Sequence, residues 1–420
     1  GLGCRTTLVG SMALHIHKYG GTSVGSLDRI RAVAQNVVKQ REAGDDVIVV
    51  VSAMAGETNR LESLGQELSN KPKNREMDVL LSAGEQVSAA LTAMALDQCG
   101  CEARSYLGWQ VPIVTDANHT RARFESIETK RLKDDLAAGI TPIVAGFQGV
   151  DGGGDITTIG RGGSDTSAVA IASALNAEEC RIYTDVDGVY TADPRIVDDA
   201  QKLEVVFFEE MLELASLGSK VLHPRAVEYA ANSGVTLRVL SSFTEGQGTL
   251  ITFEDTSMEQ PVVSGIAHAI DEAKLTVVGV PDVPGVASTI LGPIADASIE
   301  VDMIVQNIGS DGTTDFTFTV KRRDYDTAKG ILSGLIGDLG ARDVIGDNAI
   351  VKVSVVGVGM RSHAGVATRM FNALAAENIN IQMISTSEIK ISVVIAERYL
   401  EVAVRSIHNV FDLGNNEAAK

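Results

Sequence analysis

Positive charge, aromatic side chains and cysteine are all scarce in this chain of 420 residues. Lys and Arg number 36 against 55 Asp and Glu, a formal net charge of −19, and such a field repels nucleic acid and anionic lipid over most of the surface. Aromatic residues are only 4% of the chain, too few for platforms on which bases stack. Four cysteines (Cys4, Cys99, Cys101 and Cys180) cannot build a disulfide framework, and Cys99-Glu-Cys101 lacks the second pair and the nearby histidines of a zinc site. No apolar run reaches the roughly 18 to 20 residues that a membrane helix needs, and the N-terminus lacks a signal-peptide core. A cytoplasmic protein with reduced thiols, bound to neither nucleic acid nor membrane, is expected.

What is present is the composition of a globular protein, with 45% apolar and 22% charged residues. The length, roughly three times a ~150-residue domain, predicts two or three domains. Residues 1–11 show no periodicity and read as a tag or upstream extension. From Met12 onward short apolar runs alternate with helical patterns. Leu14 to His17 leads into a Gly-rich turn, and Leu27, Ile30, Val33, Val37 and Val38 then repeat at helical spacing behind Ser26, a suitable N-cap. Val47 to Val51 is five β-branched residues in succession, as in a strand covered on both faces of a parallel sheet. Leu80 to Leu96 reads as helix, Pro142 to Phe147 as strand, Thr166 to Leu175 as helix and Cys180 to Thr184 as strand. Residues 12–255 are therefore expected to form one doubly wound α/β domain.

The stretch 256–264 is polar, carries a proline at 261 and reads as a linker. Behind it lies a repeat: the segment from Val277 matches the one from Val355, and Gly285, Val286, Ala287 and Met303 recur 80 positions later as Gly365, Val366, Ala367 and Met383. Each copy reads strand, Gly turn, helix, strand, strand, helix, with further strands at Asp315 to Lys321 and Lys390 to Ile395. This βαββαβ order resembles the ACT module, a ferredoxin-like fold that pairs with another copy and binds amino acids at the junction. The expected modules span 265–348 and 349–420.

Chemistry concentrates at the strand ends of the first domain. Lys18-Tyr-Gly20-Gly21-Thr-Ser23-Val-Gly25 lies between a strand and a helix. Its glycines let backbone N–H groups turn toward a phosphate, and Lys18 adds a point charge. The pattern is neither GxxxxGK[ST] nor GxGxxG, and no HRD or DFG occurs, which argues against P-loop, Rossmann and protein-kinase readings. Three more polar strand ends follow: Ser52 to Asn59, Gly160 to Thr166 and Thr184 to Arg195. In a parallel sheet such ends share one edge, where ligands bind.

Together KYGGTS, SAM, SAGEQ, GFQG, GRGGSD and TDVDGVYTADPR resemble the amino-acid-kinase family, and within it the aspartate kinases, over residues 12 to about 413 including the tandem ACT modules. The resemblance implies an αβα sandwich with a mostly parallel sheet, followed by the two ACT modules. It also implies transfer of the ATP γ-phosphoryl, with Mg²⁺, to the β-carboxylate of L-aspartate. An aspartate side chain, with a pKa near ~3.9, is already ionised at pH 7, so no general base is needed. What is needed is positive charge and N–H donors around the transferring group.

By resemblance, Lys18 contacts that group, Tyr19, Gly20, Gly21 and Ser23 form the phosphate turn, and Ser52 lies near the γ-phosphate. Lys220 in Gly218-Ser219-Lys220 holds the phosphates from the other side, with Asp185 between the two lysines. Thr184, Tyr190, Asp193, Pro194 and Arg195 wall the nucleotide. Arg161 grips a substrate carboxylate bidentately, flanked by Gly162, Gly163 and Ser164, while Thr58 and Glu85 complete the site, Glu85 facing the α-ammonium. The variable residues in SAMAGETNR leave open that Asn59 displaces Thr58, and His223 in KVLHP is read as structural. In the ACT pair, Asp282, Gly285, Val286 and Ala287 form a strand-to-helix turn that could bind an effector, with Asp302, Gln306 and Asn307 at the end of the next strand. Ser362, His363, Ala364, Gly365, Val366, Asn380, Ile381 and Gln382 occupy the like positions of the second copy. Lysine, threonine or both are the expected effectors, and ACT pairing makes a homo-oligomer, dimer or larger, the default. Another carboxylate kinase, or a catalytically silent amino-acid sensor, are the alternatives. Met258 could also start a separate regulatory subunit.

Overall fold

The computed structural model describes residues 13–217, 221–255, 261–309 and 311–414, which form two compact units. The expected tag, the start of the linker with Met258, and Gly218-Ser219-Lys220 lie outside the described residues.

The first unit is built on an eight-stranded sheet in the order Val205–Phe207, Thr249–Thr252, Leu237–Ser241, Glu179–Thr184, Leu14–Tyr19, Asp46–Val51, Thr141–Ala145 and Ala103–Tyr106. Neighbours are parallel throughout except Leu237–Ser241 against Thr249–Thr252. The run Val47 to Val51 is fully buried. Its odd members pack with Val33, Val37, Ala89 and Leu96 of the helices Leu27–Glu42 and Asn74–Gln98. Its even members point to the opposite face, the side of the helix Gly163–Leu175. Each such side chain contributes roughly 1.5 to 3 kcal/mol on burial, which holds this strand in the middle of the sheet. Ser26 caps its helix as expected, its hydroxyl accepting from the Arg29 N–H at 3.3 Å.

The helix Asn74–Gln98 departs from the expectation that no segment could cross a membrane, because its 25 residues are long and apolar enough to do so. It is nevertheless built into the domain, and the acids Asp78 and Glu85 are buried on it. A small second sheet, Phe124–Ile127, Ile113–Thr115, Gln148–Val150 and Ile156–Thr158, leads into the Gly160-Arg161-Gly162 turn.

The second unit contains residues 190–201 and the chain from 261 onward. Its six-stranded sheet runs Val301–Ile308, Thr313–Val320, Gly265–Pro281, Asp343–Val356, Lys390–Ala396 and Met383–Thr386. Two of these strands are long and serve both ACT modules. Ala273, Leu275, Val277 and Val344 share a core with the helices Val286–Asp296 and Tyr325–Leu339. Val263, Ile266, Val351, Val353 and Val355 share another with the helices Val366–Ala376 and Leu400–Val410. The register shifts between the halves, at Ala269/Glu272 and Glu272/Lys274. The first module is thus inserted between two strands of the second, and the boundary expected at 348/349 falls inside the strand Asp343–Val356. Gly285 and Gly365 precede their helices with φ of +95° and +92°, a conformation that favours glycine, so the duplicated turns match in backbone as well as in sequence.

Candidate active site

Lys18, the penultimate residue of its strand, is buried and pairs with Asp165 of the Gly163–Leu175 helix at 2.6 Å. Gly20 donates its N–H to the Tyr183 carbonyl at 3.2 Å. A Cβ on Gly20 would stand 3.4 Å from the Lys18 ammonium, and one on Gly21 would press to 3.0 Å from the Ala53 carbonyl. The turn is therefore bare backbone beside a fixed cation, with little room for a side chain at Gly21.

Glycine has a second task at position 84. A Cβ there would come within 2.7 Å of the Ala53 Cβ, so its absence lets the long helix approach the loop after Val51. That approach brings Glu85 Oε1 to 3.1 Å from the Ala53 N–H. Glu85 Oε2 is buried with no partner among the described residues. Burial pushes the Glu85 carboxyl up to about 7 against the help of the Ala53 N–H. A buried carboxylate oxygen with nothing to bind is a place for a cation.

Arg161 is exposed and has no carboxylate partner among the described residues. It precedes the N-cap Gly162, whose φ is +69° and which supplies no side-chain cap, so a positive charge stands in sequence next to a helix N-terminus, both of which favour an anion. Ser164 is buried against Gly146, where a Cβ would lie 3.0 Å from its Oγ. Gly163 packs on Phe147 and Ile159, and Gly162 on His223. His223 caps the helix Pro224–Ser233 by accepting from the Arg225 N–H at 3.3 Å, and burial lowers its pKa. Thr58 is half-buried and Asn59 exposed in the first turn of Glu57–Leu68.

The family model for the amino acid kinase family matches residues 14–241, and ACT-domain models match 274–337 and 353–411. An aspartate kinase of Stutzerimonas stutzeri is 63% identical over 96% of this chain and 98% of its own. An aspartokinase of Pseudomonas aeruginosa has the same identity and coverage. Among solved structures, E. coli aspartokinase III in complex with aspartate and ADP is 26% identical, covering 94% of this chain and 99% of its own, with a TM-score of 0.74. The chain belongs to the aspartate kinases of the amino acid kinase family. The same E. coli enzyme in complex with lysine and aspartate gives a TM-score of 0.77 at the same identity and coverage.

Within this aspartate kinase framework, several residues have partners that the sequence did not indicate. The carboxylate that holds Lys18 is Asp165 of GRGGSD, where the resemblance implies Asp185. Asp185 is exposed and, among the described residues, accepts from its neighbour Thr184 at 3.2 Å. Tyr19 is a core residue, its ring stacked on Tyr183 with centroids 4.6 Å apart and its hydroxyl accepting from Asn36. The Ser23 hydroxyl is buried and donates to Ser242 Oγ at 2.8 Å, so it braces the turn from behind. Ser52 donates its N–H to the Tyr19 carbonyl. Tyr190, Asp193, Pro194 and Arg195 belong to the second unit, where Arg195 Nη2 meets Asp193 at 2.7 Å.

In the ACT pair Asp282 is exposed, with no partner for its carboxylate among the described residues, beside the Gly285 turn. Asp302 stands at the start of its strand rather than the end, because Val301–Ile308 begins one residue earlier, and it pairs with the buried Lys352. Gln306 and Asn307 are exposed near the far end. Ser362 and His363 are exposed and both reach the Gly359 carbonyl, at 3.2 and 2.9 Å. Asn380 is exposed, Ile381 packs against the second core, and Gln382 accepts from Lys274 at 2.6 Å.

Proposed function

We propose that the chain transfers the γ-phosphoryl of ATP to the β-carboxylate of L-aspartate, giving 4-phospho-L-aspartate as the first step toward lysine, threonine and methionine, in the cytoplasm. The observation that carries the choice of acceptor is the unpartnered Glu85 oxygen. It suits a free α-ammonium, which aspartate has and an N-acylated acceptor lacks. Arg161 and the helix N-terminus beside it would take a carboxylate. Lys18, held by Asp165, would meet the charge that builds on the transferring group, and Lys220 would act from the opposite side.

The bare Gly20-Gly21 turn fits a nucleotide phosphate. Magnesium, when bound, would add charge neutralisation at the phosphates. Among the described residues the one three-ligand cluster is His119, Asp151 and Asp155, and Asp155 is already tied to Arg75 at 2.6 Å. The cation would therefore be expected to arrive on the nucleotide, with few protein ligands. A coupled assay with aspartate, glutamate and N-acetylglutamate as competing acceptors tests this reading. Aspartate should be favoured over N-acetylglutamate by 100-fold or more in kcat/KM, on the order of what an unpaired buried charge costs. Equal use of the acylated acceptor would reject the Glu85 assignment, and no turnover at all would favour the sensor reading.

Regulation is proposed to run through the ACT pair, as a homo-oligomer, with lysine, threonine or both as effectors. Asp282→Ala should leave catalysis without effector near wild type and weaken inhibition roughly ten-fold, since ~1.4 kcal/mol of lost binding is a factor of ten. Inhibition curves at fixed aspartate decide it. Unchanged inhibition would move the sensor to the second copy, around Ser362 to Val366.

A further inference from the structure

The geometry points to Asp78 as a positioning residue for the aspartate site, holding the strap 116–122 and the strand Ile156–Thr158 so that Arg161 is presented to substrate. This rests on the assignment of Arg161 above. Asp78 is fully buried on the helix that carries Glu85 seven residues later, two turns along and on the same face.

Its carboxylate takes three donors from outside its own helix. His119 Nδ1 lies at 2.7 Å, Thr158 Oγ1 at 2.5 Å, and the Thr120 N–H is shared between both oxygens at 3.1 Å. Such a set is what keeps a buried carboxylate tolerable.

The contacts continue toward Arg161. Thr120 adopts φ +69°, an unfavourable conformation for a β-branched residue, and its N–H is the group that Asp78 holds. The Thr120 carbonyl then lies 3.0 Å from where a Cβ of Gly160 would be. Ala122 donates its N–H to the Thr158 carbonyl at 3.0 Å. Arg225 clasps the Ile159 and Ala122 carbonyls from the other side, at 2.5 and 2.7 Å. Strap and strand are thus one piece, fastened at its base by Asp78 and ending at Gly160-Arg161. A single helix therefore sets two distances at once, that of Glu85 to the ammonium and that of Arg161 to the carboxylate.

Asp78→Asn keeps the shape but turns an amide N–H₂ toward one of the three donors. Steady-state kinetics should show aspartate KM raised ten-fold or more, with ATP KM changed less than two-fold. Thr158→Val removes one hydroxyl at constant shape and should raise aspartate KM about three-fold; it decides the matter if the Asn variant fails to fold. The double variant Asp78→Asn/Arg161→Ala should be no worse in kcat/KM for aspartate than Arg161→Ala alone, because Asp78 acts through Arg161. Wild-type aspartate KM in both single variants, equal rises in both KM values, or additive losses in the double variant would overturn the proposal. An Arg161→Ala variant with unchanged aspartate KM would instead reject the assignment of Arg161.

Discussion

Lys18→Met is expected to lower kcat by ~10²-fold or more, the scale of removing one donor to a transition-state anion, with little change in aspartate KM. In the proposed site the ammonium would meet charge that is greatest as the phosphoryl group transfers, so its loss would fall on the transition state rather than on ground-state binding. The variant also leaves Asp165 without its cation, at 2.6 Å in the native protein and largely shielded from water. Breaking a buried pair from one side costs about 3 to 5 kcal/mol where burial is complete, and less here. Kinetics should accordingly be read beside a denaturation curve, and Lys18→Arg, which keeps the pair, should be more stable than the Met variant while remaining slow. A Met variant with kcat near wild type would remove Lys18 from the chemistry.

Glu85→Gln is expected to raise aspartate KM roughly 10- to 100-fold, the equivalent of about 1.5 to 3 kcal/mol for a hydrogen bond to a charged group, while ATP KM hardly moves. The same substitution should stabilise the free enzyme in base. Burial raises the Glu85 carboxyl from an ordinary 4.5 to about 7, so the folded state binds a proton that the unfolded state has released. Stability attributable to this group is therefore intact below pH ~4.5 and is lost as pH rises to ~7, a loss of roughly 3 kcal/mol from the size of the shift. Gln carries no such cost. Urea curves should show the variant more stable than wild type near pH 8 and close to it near pH 5. In the native enzyme aspartate KM should rise below pH ~7, as the proposed partner of the ammonium becomes protonated, and level off at the value of the Gln variant, roughly 10- to 100-fold higher; in the variant that dependence should vanish. A pH-independent KM in the native enzyme would place the ammonium elsewhere.

The sheet was legible because its signal is local. Five β-branched residues from Val47 to Val51 can be fully buried only between two layers. Ser26 before Leu27 and the Gly285 and Gly365 turns are equally local. The burial of Glu85 was legible through Gly84, a residue too small for an apolar helix unless something must come close. Asp165 was not, since what distinguishes it from Asp185 is a partner 147 positions away in sequence. Asp78 carried no signal beyond being an acid in an apolar run; its donors come from positions 119, 120 and 158. The shared strands of the ACT pair were hidden for a related reason. Periodicity reports which face of a strand is buried, and it does not report which helices bury it.

That sharing makes the two modules unequal. Ala269 stands opposite Lys352 and Glu272 opposite Ile350, so the chain leaves the second module and re-enters it at adjacent points. Excising the segment between them and closing the gap with a tight turn would remove the first module and leave the second with all four of its strands. The reverse operation is impossible by a single deletion, because the outer module is contributed from both sides of the inner one. A nascent chain meets the same asymmetry: the inner module can fold on emergence, whereas the strand Gly265–Ala269 must wait 83 to 91 residues for its partner. Loop closure of that length is entropically costly, but folding of the inner module brings the two ends together beforehand, so the module that folds first acts as the template for the one that folds last.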